Sequence, residues 1–158
     1  MLLELQRELA LESDIGTVLG RITAAATSLL GAVRALAQRI DGTAGTHVLP
    51  RSVDATRRLS PEAEAGAFHV IREAVTNAIK TGRASTVSID VRDDGAGLTA
   101  LVEDDGLGFD VAATLSGYAS RGSLGMLQMR ESARLIGAQL TIDPSPGHGT
   151  RVRLHVPS

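Results

Sequence analysis

Glu73, Asn77 and Lys80 stand four and three residues apart, so a helix through them carries all three on one face. A carboxylate, an amide oxygen and an ammonium grouped in this way can hold a hydrated Mg²⁺ and a polyphosphate. Mg²⁺ takes few protein oxygens and fills its shell with phosphate and water. Glu73 can also polarise a water or an incoming nucleophile. The plain alternative is a solvated helix face; an Asn in mid-helix is mildly unfavourable and leans against it.

A pentapeptide of one pattern occurs twice, as Asp93-Asp94-Gly95-Ala96-Gly97 and as Asp104-Asp105-Gly106-Leu107-Gly108. The first copy joins two cleanly alternating segments, Val87/Ile89/Val91 and Leu98/Ala100/Val102, and a hairpin turn explains it. The second ends a strand with no immediate return; Phe109 and a polar, Gly-containing stretch follow. A carboxylate fixed there can accept a hydrogen bond from an amino group such as adenine N6, and Gly106 and Gly108 let the backbone approach a ligand. Gly122-Ser123-Leu124-Gly125 leads into a helix, where free N–H groups and the positive end of the dipole suit a phosphate. Gly147-His148-Gly149-Thr150 enters the last strand. Taken singly, each of these is also readable as a loop or a turn.

The elements that must position these groups follow from periodicity. Residues 1–40 read as helix; from Ile15 through Leu19, Ile22, Ala26, Leu29, Val33 and Leu36 to Ile40 the apolar spacing alternates between 4 and 3. Leu2, Leu5 and Leu9 follow another register, so a break is expected near Ser13-Asp14. The flanks of the seam are apolar too, which fits a bundle helix. Both packing on its own domain and a homodimer through residues 15–40 use that seam. His47 to Val53 reads as an edge strand because Pro50 interrupts it. Ser60-Pro61-Glu62 starts a helix to about Lys80, with Phe68, Ile71, Val75, Ala78 and Ile79 as its core stripe and Gly82 as its stop. Residues 106–122 read as loop, and a helix is expected from Ser123 to Ile136. Strands at Gln139–Ile142 and around Val152, Leu154 and Val156 close the chain, with a turn at Pro144–Gly149. A helix layer on one face of a mostly antiparallel sheet is the economical architecture.

Composition sets the bounds. The chain has 158 residues, a net charge of −2 and no cysteine, so thiolate metal sites and disulfides are excluded and no nucleic-acid surface is expected. Its aromatics are Phe68, Phe109 and Tyr118, so Leu, Ile, Val and Ala must build the core. Glu4 and Glu8 stand where a signal peptide would be basic, and no apolar run approaches the roughly 20 residues of a membrane span. The expectation is a soluble cytoplasmic protein.

In order and spacing, the motifs together are similar to the ATP-binding domain of the gyrase, Hsp90, histidine kinase and MutL group. More closely, they resemble the kinase domain of NarL-type sensor histidine kinases of two-component systems. Phe68 to Lys80 matches the N-box helix, Asp104 to Phe109 the G1 box, Leu124 to Glu131 the G2 segment, and Pro146 to Thr150 the closing Gly-x-Gly-Thr. The resemblance covers roughly residues 45–157.

This resemblance implies a Bergerat-type α/β sandwich with ATP between helices and a lid, at residues 41–158, behind an N-terminal helical segment at 1–40. It implies that Asn77 ligates Mg²⁺, Glu73 serves as acid or base and Lys80 lies near the phosphates. Asp104 holds the adenine amino group, with Thr150 in support. Gly106 and Gly108 shape the base pocket, and Gly122, Ser123, Leu124 and Gly125 face the phosphates. The implied partners are a histidine-containing kinase segment and a response regulator.

Two departures stand out. Thr81 replaces the His that usually follows the N-box Lys, and residues 1–40 contain no histidine to accept a phosphoryl group. His47, His69, His148 and His155 do not sit in an acceptor context. Asp14 to Ala32 is closer to the opening helix of a GAF sensory domain, so a truncated or internally deleted sensor kinase is expected. A non-catalytic nucleotide-binding module and an anti-sigma-factor-type Ser/Thr kinase are the alternatives on the same fold.

Overall fold

The computed structural model describes residues 28–108 and 121–158. The expected break near Ser13-Asp14, the seam from Ile15 to Ala26 and the loop residues 109–120 lie outside the described residues.

Ser28 has an extended backbone (φ −157°, ψ 155°), and its hydroxyl accepts from the Gly31 N–H at 3.3 Å. This is an N-cap, so α1 (Leu29–Ile40) starts here, where the expected helix was to run on unbroken from Ile15 to Ile40. A serine hydroxyl offers the backbone an alternative to helical pairing, and here it wins. The second half of the seam, Leu29, Val33, Leu36 and Ile40, is buried in the core of its own domain. Ser28→Ala is expected to lower stability by about 1 kcal/mol in denaturant unfolding, the usual cost of a lost cap.

After a 3₁₀ turn at Thr43–Gly45, β1 (His47–Asp54) runs along the sheet edge. Its register shifts between Pro50 and Ser52, where proline withholds a donor. α2 (Pro61–Lys80) begins at Ser60, whose hydroxyl accepts from the Ala63 N–H at 3.2 Å. Glu62 and Glu64 in its first turn and Lys80 in its last suit the helix dipole. The apolar stripe Phe68, Ile71, Val75, Ala78 and Ile79 is buried as expected.

Next come β2 (Thr86–Asp93), β3 (Gly97–Asp104), α3 (Arg121–Leu135), β4 (Gln139–Ser145) and β5 (Gly149–Pro157). The strand order is β1-β2-β3-β5-β4, with β1 and β2 parallel and the other pairs antiparallel. A parallel pair needs a crossover, and α2 supplies it. Val87, Ile89, Val91, Leu98, Ala100, Val102, Val152, Leu154 and Val156 turn inward and are buried. The alternating positions, among them Glu103, Arg151, Arg153 and His155, form the polar outer face. α1 packs on β1, α2 on β3 and β5, and α3 on α2 and β4. The result is the expected two-layer sandwich with a mixed, mostly antiparallel sheet.

Two boundaries differ from expectation. β4 runs on to Ser145, with Pro144 opposite Thr150 at the free edge where its missing N–H does no harm. α3 starts at Arg121, so Gly122 and Ser123 belong to its first turn and not to a loop before it. Close packing of α3 on α2 outweighs the low helix propensity of two glycines. At the other end, Gly137 (φ 66°) and the Ala138 N–H to Ala133 O bond of 2.8 Å close the helix as expected. No described helix is long and apolar enough to cross a membrane.

Candidate functional site

Helical spacing brings Glu73 and Asn77 to one partly exposed face of α2, with Lys80 one turn on at its C-terminus. The helix ends because the Asn77 carbonyl accepts from both Thr81 N–H (2.9 Å) and Gly82 N–H (2.8 Å). The chain can then turn toward β2, and the Gly82 carbonyl accepts from the Leu107 N–H at 2.7 Å. The end of α2 is thereby tied to the loop after β3.

The two Asp-Asp-Gly copies separate by where the hairpin places them. β2 and β3 pair from Val87↔Asp104 to Asp93↔Leu98, so the copies lie at opposite ends, about 20 Å apart at strand rise. In the first copy the carboxylates serve the turn. Asp93 accepts from Gly95 N–H (3.0 Å), and Asp94 from Ala96 N–H (3.1 Å), Gly97 N–H (2.9 Å) and the Thr99 hydroxyl (2.8 Å). In the second copy the neighbouring aspartates divide the work. Asp105 accepts from Ser85 N–H and Thr86 N–H, both at 2.8 Å, and pins the start of β2. Asp104 instead turns its carboxylate to a cavity, accepting from Gly106 N–H at 2.8 Å. Burial pushes the Asp104 carboxyl above its ordinary value; the Gly106 and Thr150 N–H groups pull it back and the charge of Asp105 raises it again.

The cavity has a volume of about 70 Å³. Val102, Val152 and Ile142 form its sheet side, and Ala74 and Ala78 its α2 side. Met126 and Met129 of α3 close it, while Asn77, Thr81, Asp104 and Thr150 supply polar rims. A mostly apolar cavity with a carboxylate acceptor and an amide in its lining suits a heteroaromatic base leading to a charged tail. Backbone approach defines its edges. Gly108 (φ 62°) lies against the Ser145 carbonyl, and Gly149 (φ 92°) against the Asp104 carbonyl, with no space for a Cβ at either. Gly106 is similarly closed in by Gly82.

Gly125, expected at the phosphate-facing start of a helix, also makes a close approach that its sequence context does not announce. It is buried in α3, and a Cβ there would collide with the Glu73 carboxylate and stand 2.8 Å from Nδ2 and 3.0 Å from Oδ1 of Asn77. The G2 glycine thus lets α3 lie directly on the chemical face of α2. Leu124 points outward and is exposed; Gly122 and Ser123 lie in the first turn of α3. The structure therefore gathers Asn77, Asp104, Gly108 and Thr150 on one cavity, with Glu73 and Gly125 beside it, while Lys80 stands at the adjoining helix end. Sequence reading did not find the apolar walls, Ala74, Met129, Ile142 and Val152. A core-type position next to Asn77, or next to Thr150 in the last strand, was the available signal.

Among the described residues there is no cluster of three His, Cys, Asp or Glu that could cage a metal. One amide oxygen with a carboxylate four residues away fits Mg²⁺, which binds through few protein oxygens when phosphates complete its shell.

A family model described as "Histidine kinase-, DNA gyrase B-, and HSP90-like ATPase" matches residues 62–158. An uncharacterized sensor-like histidine kinase of Chloroflexus aurantiacus is 43% identical over 101 residues, covering 63% of this chain and 17% of that protein. Sensor histidine kinase YdfH of Bacillus subtilis is 37% identical over 91 residues, covering 57% of this chain and 22% of that protein. The chain thus spans about a fifth of the length of these relatives. Among solved structures, the histidine kinase domain of the blue-light activated histidine kinase of Erythrobacter litoralis EL346 shares the fold. Its TM-score is 0.62 at 24% identity, over 82% of this chain and 65% of the other.

Proposed function

This chain belongs to the histidine kinase-, DNA gyrase B- and HSP90-like ATPases, and from that membership we propose that it binds Mg-ATP for phosphoryl transfer to a histidine on a partner or on a further segment. The observation that carries the reading is that Asp104 and Asn77, 27 residues apart, line one apolar cavity between helices and sheet. Asp104 accepts the amino group of adenine, and the Thr150 N–H keeps its carboxylate in place. Gly106 and Gly108 leave the base room against the backbone. Asn77 would hold Mg²⁺ through its amide oxygen, and the bound ion would offset charge developing on the transferring phosphoryl group. Glu73 takes or orients the proton of the attacking group. Lys80 and the first turn of α3, with Gly122, Ser123 and Leu124, face the phosphates.

A calorimetric titration with Mg-ATP, followed by analysis of the nucleotide, tests this. Saturable binding is expected, and Asn77→Ala is expected to weaken it about tenfold, as for a lost contact to a charged group. With γ-labelled ATP alone, no acid-labile label is expected on the chain. His69 is bonded to Ser132 and His155 to Thr99, while His47 opens β1 and His148 sits in the β4–β5 turn. An acid-labile labelled chain would overturn the need for an outside acceptor. Acid-stable phosphate on a partner protein would transfer the reading to a Ser/Thr kinase. A response regulator as final acceptor, and a cytoplasmic setting, belong to the same proposal.

A further inference from the structure

α3 lies on α2 in an antiparallel pair, and three close approaches mark its length. Gly66 meets Ile136, His69 meets Ser132, and Glu73 and Asn77 meet Gly125. Two of the three are glycine approaches without a side chain. The middle one is polar: His69 Nδ1 and Ser132 Oγ are 2.8 Å apart. His69, Glu73 and Asn77 are spaced by four along α2, and Ser132 and Gly125 are two turns apart on α3. This hydrogen bond is a directional contact between the two glycine approaches, in a position to fix the sliding register and with it the distance of Gly125 from Glu73 and Asn77. His69 is half-buried, and this burial, with Arg72 beside it, holds its imidazole below its ordinary value against the opposing pull of Glu73.

We propose that the His69–Ser132 hydrogen bond is a positioning contact that holds Gly125 of α3 over Glu73 and Asn77 and so limits access of the phosphate end of the nucleotide. The inference rests on the Mg-ATP reading above. With α3 seated here, a Cβ on Gly125 would already meet the ends of Glu73 and Asn77, so an octahedral Mg²⁺ with its phosphate oxygens finds room only when those side-chain ends swing aside or α3 draws back. Drawing back the N-terminal half of α3 enlarges that space. The polar groups of the base end, Asp104 and Thr150, stand on the sheet, and α3 contributes only the apolar Met126 and Met129 there.

Ser132→Ala removes the bond, Ser132→Thr keeps the hydroxyl, and His69→Asn keeps a polar nitrogen near the position of Nδ1. Ser132→Ala is expected to tighten Mg-ATP binding about two- to tenfold, the range of one net hydrogen bond, and to change adenosine binding by less, since α3 touches the base end only through Met126 and Met129. Ser132→Thr and His69→Asn are expected to restore wild-type values. Independently of nucleotide, Ser132→Ala is expected to speed hydrogen exchange at the amides of residues 125–129. A merely structural role would shift ATP and adenosine alike. Equal shifts, or no shift in either affinity with exchange unchanged, would overturn the proposal. Failure of the wild-type chain to bind Mg-ATP would instead refute the functional reading, leaving the exchange measurement to judge the contact.

Discussion

Asp104→Asn is expected to weaken Mg-ATP binding by about 1.5–3 kcal/mol, roughly 10- to 150-fold, the cost of losing a charge-assisted hydrogen bond. The fold is expected to survive, because the Asn oxygen can still accept from the Gly106 N–H that Asp104 now engages at 2.8 Å. Stability offers a second readout with a defined sign. Burial raises the folded-state pKa of Asp104 above the ordinary value of 3.8, so the folded protein holds that proton more tightly than the unfolded chain. The stability from this proton is present below 3.8 and is lost as pH rises through the raised value. Asparagine carries no such loss. The ligand-free variant is therefore expected to melt no lower than wild type at pH 7, with the advantage disappearing toward pH 3.8. Asp93→Asn is the matched control. Its carboxylate serves the turn and a 3.4 Å pair with Arg57, so binding is expected to be unchanged and stability to move within about 0.5 kcal/mol. If the two variants titrate alike, the assignment of the adenine site to the second copy is wrong.

Gly149→Ala is expected to destabilise the domain by about 2–5 kcal/mol, summing a left-handed backbone for a Cβ-bearing residue and overpacking of a closed site. At φ 92° its added methyl would run into the Asp104 carbonyl. The strand end that carries Asp104, the proposed adenine acceptor, must therefore move, and ATP binding is expected to fall together with stability. Gly147→Ala, two residues earlier in the same turn, separates the causes. It also has positive φ (77°), but nothing lies within 4 Å of its added Cβ. Only the conformational cost of about 1–2 kcal/mol is expected there, with ATP affinity retained. Chemical denaturation and a nucleotide titration on both variants decide the matter; equal losses would mean that the Gly149–Asp104 approach is not what shapes the pocket.

Local signals were enough for much of this architecture. Ser60-Pro61-Glu62 and Gly82 mark both ends of α2, because cap, fixed φ and stop are properties of those residues. The hairpin at Asp93–Gly97 is written in its turn residues, and placing it leaves Asp104 for the cavity. The start of α1 was not legible, since the 4–3 apolar spacing passes through residue 28 unbroken and only the fold decides that Ser28 caps instead of continuing. The close approach of Gly125 to α2 was not legible for a similar reason. Glycine before a helix and glycine pressed against a neighbouring helix look alike until the neighbour is in place. The His69–Ser132 contact joins residues 63 apart, and no local pattern announces it. The apolar cavity walls are core residues by type; only assembly of α2, α3 and β5 turns them toward a ligand.

The sheet order has a consequence for how the chain reaches this state. β5 lies between β3 and β4, so neither the inner edge of β3 nor β4 has its partner until residues 149–157 are in place. Those residues are the last of the described elements to leave a ribosome. Until then Leu98, Ala100 and Val102 line an open edge, and the strand ending in Asp104 has a neighbour on one side only. Non-local pairing of this kind is slow to nucleate and leaves edges exposed to other chains meanwhile. The end of the molecule proposed to bind the base, where Thr150 and Gly149 close on Asp104, is therefore among the last parts to form during synthesis.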